Sequence, residues 1–152
     1  MTGSDRRVRS AGGFELPLPA GDAFGLFTAE GERRWVPGWS PEILGQLPQH
    51  PGLVFLTKAD GRDTIWTVIE SDPASLRHRY SRVTPGHTAG TVEVRLHPAG
   101  STCRVDVRYD MTALADDHAA ALAPYVGEAF QAMLAEWQSL IVATLGKEAA
   151  PA

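Results

Sequence analysis

The chain has 152 residues, 43% hydrophobic and 21% charged, with a formal net charge of -4, which fits a single domain over 1–152 and makes a second domain unexpected. The acidic balance argues against a nucleic-acid partner, since phosphate binding needs a basic face, and Arg6, Arg7 and Arg9 form only a short cluster. No apolar run approaches the roughly 20 residues that span a bilayer and the N-terminus lacks a signal-peptide core, so a cytoplasmic protein is expected.

Residues 1–13 begin polar and contain Gly12 and Gly13, so the first few are expected to fray and the ordered core to run over about 8–146. Phe14 to Leu18 alternate and read as a first strand ending near Pro19, with Pro17 favouring an edge or a bulge. Asp22 is placed to cap a short helix through Ala23, Phe24 and Phe27, which Gly31 ends. A second short helix over Glu32–Val36 must break at Pro37. Trp35 and Trp39, set among Pro and Gly, form an aromatic corner that either plugs one end of the core or walls a pocket.

Strands punctuated by turns follow: Ile43–Leu47, Leu53–Lys58, then Thr64–Glu70 after the hairpin signal Asp60-Gly61, and Leu76–Val83 after Asp72-Pro73. Two more, Thr91–His97 and Thr102–Thr112, are joined by Pro98 to Ser101. In the last, Cys103, Val105, Val107, Tyr109 and Met111 alternate with polar residues, giving one wet and one buried face. Cys103, the only cysteine, excludes an internal disulfide and reads as a small buried hydrophobe.

From Asp116 to Leu145, Leu122, Val126, Phe130, Met133, Trp137 and Ile141 recur at three- and four-residue steps, the stripe of an amphipathic helix. Pro124 is expected to bend this helix or to begin its regular part. From Pro124 to Leu145 it would be roughly 33 Å long, enough to cross the domain. The fold class is therefore α+β, an antiparallel sheet with one long helix on its inner face.

The order of strand, two short helices, six strands and one long C-terminal helix resembles the helix-grip fold of the START-like or SRPBCC superfamily, which includes pollen-allergen-type lipid binders and polyketide cyclase and aromatase domains. The stretch from Phe27 to Trp39 and the run Tyr109 to Leu114 are its most specific pieces, and resemble small stand-alone bacterial members. The abundance of Arg, Ala, Gly and Pro is also that of a GC-rich bacterial genome. The resemblance implies a curved sheet of about seven strands gripping the helix, with a cavity between them for a small hydrophobic molecule. It nominates Phe55, Trp66, Val68, Leu76, His78, Tyr80, Val94, Val107, Tyr109, Phe130, Met133 and Trp137 as lining, with Trp35 and Trp39 as further ligand-binding candidates. Ile65 and Ile69 compete with Trp66 and Val68 for the inside.

No residue cluster specifies a reaction. His78 and Tyr80 share a face with Arg82 and are the candidates for proton transfer, although a satisfied core histidine and a packed tyrosine are the favoured reading. The five histidines lack a metal-ligand spacing, and no P-loop, dinucleotide fingerprint or nucleophile elbow occurs, so neither a metal nor a cofactor is expected. Glu30 and Glu32 read as surface charges and Asp116-Asp117 as helix-start charges. Three functions follow: a carrier of a lipid, polyketide or aromatic ligand; a cyclase or dehydratase; and an interaction module with a filled core, either a homodimer or a regulator.

Overall fold

Period-two burial is strongest where the chain alternates most regularly. Along Thr102–Ala113 every second residue from Cys103 to Ala113 is buried, which fixes that strand's register, since a one-residue slip would turn all of them to solvent. A computed structural model describes residues 6–149. It contains β1 (Arg7–Leu16), α1 (Ala20–Ala23), 3-10 turns at Phe24–Phe27 and Gly31–Arg34, and β2 (Glu42–Leu44). These are followed by β3 (Val54–Ala59), β4 (Arg62–Asp72), β5 (Arg77–Thr84), β6 (Thr88–Ala99) and β7 (Thr102–Ala113). The chain closes with α2 (His118–Leu122), a 3-10 turn at Ala123–Tyr125, and α3 (Gly127–Ala149). The strands form one seven-stranded sheet in the order β1-β7-β6-β5-β4-β3-β2, and every adjacent pair is antiparallel. With α3 on its concave face, this is the helix-grip arrangement.

Several boundaries differ from the sequence expectation, each for a local reason. The first few residues, expected to fray, include positions outside the described range, but β1 already begins at Arg7 and runs through both glycines. Gly12 is used for close approach: a Cβ there would lie 2.8 Å from Leu134 Cδ1 and 2.9 Å from Gln131 Oε1, so the missing side chain lets α3 settle on the sheet edge. Asp22 does not cap α1, whose first turn starts at Pro19 without a side-chain cap. The expected strand Ile43–Leu47 contracts to Glu42–Leu44.

The C-terminal helix is interrupted rather than bent. Pro124 falls in the 3-10 turn, Val126 is extended (φ -116, ψ 144), and α3 then continues past Gly146. That break resets the helical phase. Val126 is 43% exposed, whereas Leu134 is buried beside Phe130 and Ile141. Met133 and Trp137 remain on the flank of the stripe, half-buried.

Candidate functional site

The inner face of the sheet is a series of cross-strand rows, and their contents divide it into a sealed end and an open one. At the sealed end His78 lies opposite Ser71 and Val94 and is fully buried. Its ring stacks on Phe24 with centroids 4.0 Å apart. Nε2–H donates to the Phe24 carbonyl at 2.8 Å, which leaves Nδ1 to accept from the Ser71 hydroxyl at 3.0 Å. Gln49 Nε2 donates to Ser71 Oγ and to Tyr80 Oη, at 3.1 and 2.8 Å. Gln49 Oε1 accepts from the Ala29 amide at 2.9 Å, and Tyr80 donates to the Phe27 carbonyl.

Each polar atom of this network is therefore used in holding the Phe24–Ala29 segment against the sheet. Burial lowers the His78 pKa to about 4 against a weaker opposing effect of the Phe24 carbonyl, so the ring is neutral at pH 7. Burial, and secondarily the charge of Glu32, push the Tyr80 hydroxyl upward, opposed by the Gln49 hydrogen bond.

The open end lies one and two rows further along. Trp66 stands opposite Phe55 and Arg82, and Tyr109 opposite Val92 and Ser10. Here the sheet and α3 leave a cavity of about 200 Å³, lined by Glu32, Val36, Trp39, Trp66, Arg82, Tyr109, Met133 and Trp137. Trp39 is held by donating Nε1–H to the Ala29 carbonyl at 2.8 Å, and Trp66 by donating to Thr57 Oγ1 at 3.0 Å. Their rings meet edge to face, 6.0 Å between centroids.

The guanidinium carbon of Arg82 sits 5.3 Å from the Trp66 ring centroid and 5.8 Å from that of Tyr125, and Nη1 donates to Tyr125 Oη at 2.9 Å. Burial raises the Tyr109 hydroxyl, with Arg82 acting in the opposite sense.

Glu32 is the residue the sequence did not single out. It was expected at the surface, yet it lines the cavity. The residue as a whole is half-buried, but the protein packed round its carboxyl pushes the pKa well above the usual carboxylate range. The turn that carries it is tightly built: a Cβ on Gly31 would fall 1.7 Å from the Gly25 carbonyl oxygen. The Glu32 amide donates to the Thr28 carbonyl at 3.0 Å, and its carbonyl accepts from Val36 at 2.9 Å. Arg34 Nε, two residues on, donates to Glu148 Oε2 at 3.0 Å and ties the turn to the end of α3.

Of the nominated ligand-binding residues, Trp39, Trp66, Tyr109, Met133 and Trp137 share the cavity, together with Arg82. Phe55, Val68, His78, Tyr80, Val94, Val107 and Phe130 are buried in the core and are not on its lining, and Leu76 is half-buried at the start of β5. The aromatic corner divides. Trp35 is buried, donates Nε1–H to the Leu26 carbonyl at 2.8 Å and plugs the space between Phe27 and Trp137, whereas Trp39 is wall.

A curved antiparallel sheet closed on a C-terminal helix, with a partly aromatic cavity between them, defines an SRPBCC-type protein. The family model described as polyketide cyclase / dehydrase and lipid transport matches residues 7–141, and the chain belongs to that family. Among solved structures, norcoclaurine synthase from Thalictrum flavum, in complex with dopamine and hydroxybenzaldehyde, is 14% identical with a TM-score of 0.67, covering 96% of this chain and 90% of that one. The Zhui aromatase/cyclase from Streptomyces sp. R1128 is 15% identical with a TM-score of 0.63, covering 88% and 92%. A protein from Thermus thermophilus is 16% identical with a TM-score of 0.65, covering 94% and 100%. No curated protein matches in sequence.

At these identities the neighbours establish the fold, and the family supports a hydrophobic-ligand or cyclase role. Among the described residues, no helix is long and apolar enough to cross a membrane, and no group of three or more His, Cys, Asp or Glu is placed to hold a metal ion.

Proposed function

We propose that the protein binds and carries a small hydrophobic molecule in the cavity between β4, β5, β7 and α3. One observation carries this reading: the space is walled by Trp39, Trp66, Met133 and Trp137, with only a few polar groups at its margin, the composition expected of a site that takes an apolar body and orients it by one end. At about 200 Å³ it has room for a small ring system, given that a cavity of roughly 150 Å³ admits benzene. Native mass spectrometry of the purified protein, followed by organic extraction, tests it. A stoichiometric small aromatic species is expected, and Met133→Trp, which puts a larger side chain into the space, should sharply reduce its retention. Undiminished retention by that variant would place the ligand elsewhere.

A second reading, proton transfer during cyclisation or dehydration of a polyketide chain, is favoured by a separate observation. Glu32, whose carboxyl burial pushes well above the usual carboxylate range, lines the same cavity as Arg82, so a carboxyl biased toward its acid form and a fixed cation border one space. Of the residues nominated for that chemistry, Arg82 lines the cavity and His78 and Tyr80 are committed to core hydrogen bonds. Turnover of a poly-β-ketone by the native protein, lost in Glu32→Gln, would support it; turnover retained in that variant would remove Glu32 from the chemistry.

A further inference from the structure

Among the described residues, the guanidinium that borders the cavity has no carboxylate on it. Arg82 projects from β5 toward the interior, opposite Trp66. Among the described residues its side chain makes one hydrogen bond, to Tyr125 Oη, and no carboxylate lies within 4.0 Å of it. The other ionisable groups facing this space are Glu32 from the Gly31–Arg34 turn and Tyr109 from β7, with Tyr80 from β5 near enough for the charge on Glu32 to act on it. Burial pushes the pKa of each of the three upward and so favours its uncharged form. The α3 side contributes Met133 and Trp137, neither of which ionises.

Arg82 therefore stands without an ion-pair partner among the described residues, at the edge of a largely apolar chamber. Arg82 also borders an adjoining depression of about 420 Å³ that includes Pro37, Gly38, Thr57 and Lys58, so it marks the junction between the chamber and the outside. Lys58 there is itself paired with Asp63, 3.6 Å away.

We infer that the cavity selects a small organic acid, whose flat apolar body lies against Trp39, Trp66, Met133 and Trp137 while its carboxylate sits on the Arg82 guanidinium. The inference rests on the carrier reading and adds the chemical class of the ligand. The Tyr125 hydrogen bond and the two flanking rings hold the guanidinium plane in place, leaving N–H donors of the fork for a carboxylate, which accepts them in pairs. A neutral carbonyl at the same point would take a hydrogen bond but leave the charge unanswered. Glu32 in its protonated form, which burial favours, is a donor available to the same ligand end. Its ionisation at higher pH would place a competing negative charge in the cavity and oppose the bound anion, so affinity for an acid should fall as pH rises through the raised Glu32 pKa.

The test compares 1-naphthoate with its uncharged isostere 1-naphthamide by calorimetry and by quenching of tryptophan fluorescence. The native protein should bind the acid about ten- to a hundredfold more tightly than the amide, the range expected of one charge-assisted contact. Arg82→Gln should lose that preference while binding the amide within about threefold of the native protein, which also shows that the cavity has survived. Glu32→Gln should keep the preference and flatten its pH dependence. Equal affinity of the native protein for acid and amide, or an unchanged preference in Arg82→Gln, would overturn the choice of ligand class and leave the cavity reading standing. Failure of both probes to bind would overturn the two together.

Discussion

Protonation of His78 offers the sharpest test of how the sealed end is held. The folded ring resists protonation until about pH 4, against an ordinary value of 6.5. Roughly two and a half pH units separate the two, each worth about 1.4 kcal/mol, so acidification costs about 3 kcal/mol of stability from this one side chain. The folded pKa is depressed. The stability is therefore fully present above 6.5, where folded and unfolded rings are both neutral, and is lost as pH falls toward 4, where the unfolded chain takes up a proton that the folded ring refuses. The loss is a large fraction of the roughly 5–15 kcal/mol by which a domain is stable.

Urea denaturation of the native protein and of His78→Gln at half-unit steps from pH 7.5 to pH 4 would measure it. Gln cannot titrate but can bond to the Phe24 carbonyl or to Ser71, so the difference between the two proteins isolates the histidine. The gap in unfolding free energy should close, or reverse, by about 3 kcal/mol across that window. Two parallel pH profiles would show that His78 is not a buried neutral lock.

Glu32 should act with the opposite sign. Its folded pKa is raised, so its contribution is complete below the ordinary carboxylate value and declines as pH rises toward the folded one; Glu32→Gln should therefore match the native protein in acid and be the more stable of the two at neutral pH, read by thermal denaturation in a pH series. Gly31→Ala drives a methyl group against the Gly25 carbonyl; a loss of about 2–3 kcal/mol is expected, with weaker probe binding because the same turn carries Glu32. Phe130→Ala empties a fully buried site and should cost about 3–5 kcal/mol in a urea titration.

β7 was legible because dry and wet residues alternate strictly along it. Along β4 the same reasoning blurs: Ile65 and Ile69 are apolar but 37% and 41% exposed. The register also shifts between Val68 and Glu70, so strict alternation predicts the wrong face for part of the strand. The competition between Ile65 and Trp66 for the inside is decided by the cavity, which takes Trp66.

Two other features were hidden for different reasons. Gly12-Gly13 carries no strand signal in the sequence, and what requires Gly12 there is the approach of α3, more than a hundred residues away. Glu32 sits in a single 3-10 turn beside Arg33 and Arg34, where too few residues exist to establish a helical phase and the charged neighbours imitate a solvated face. The signal that could have found it is the crowding of Trp35 and Trp39 immediately after it: a turn that must bury two indoles has little freedom in where its other side chains point.

If the chamber beside Trp39, Trp66 and Trp137 is a ligand site, the indole N–H signals of the four tryptophans will report on it individually. In a 15N–1H correlation spectrum, stepwise addition of 1-naphthoate should shift the signals of Trp39, Trp66 and Trp137 together and saturably, through the ring current of the bound probe. Trp35, buried in the core and off the cavity lining, should move least. Four unmoved signals, or a shift greatest at Trp35, would show that the chamber is not where the ligand binds.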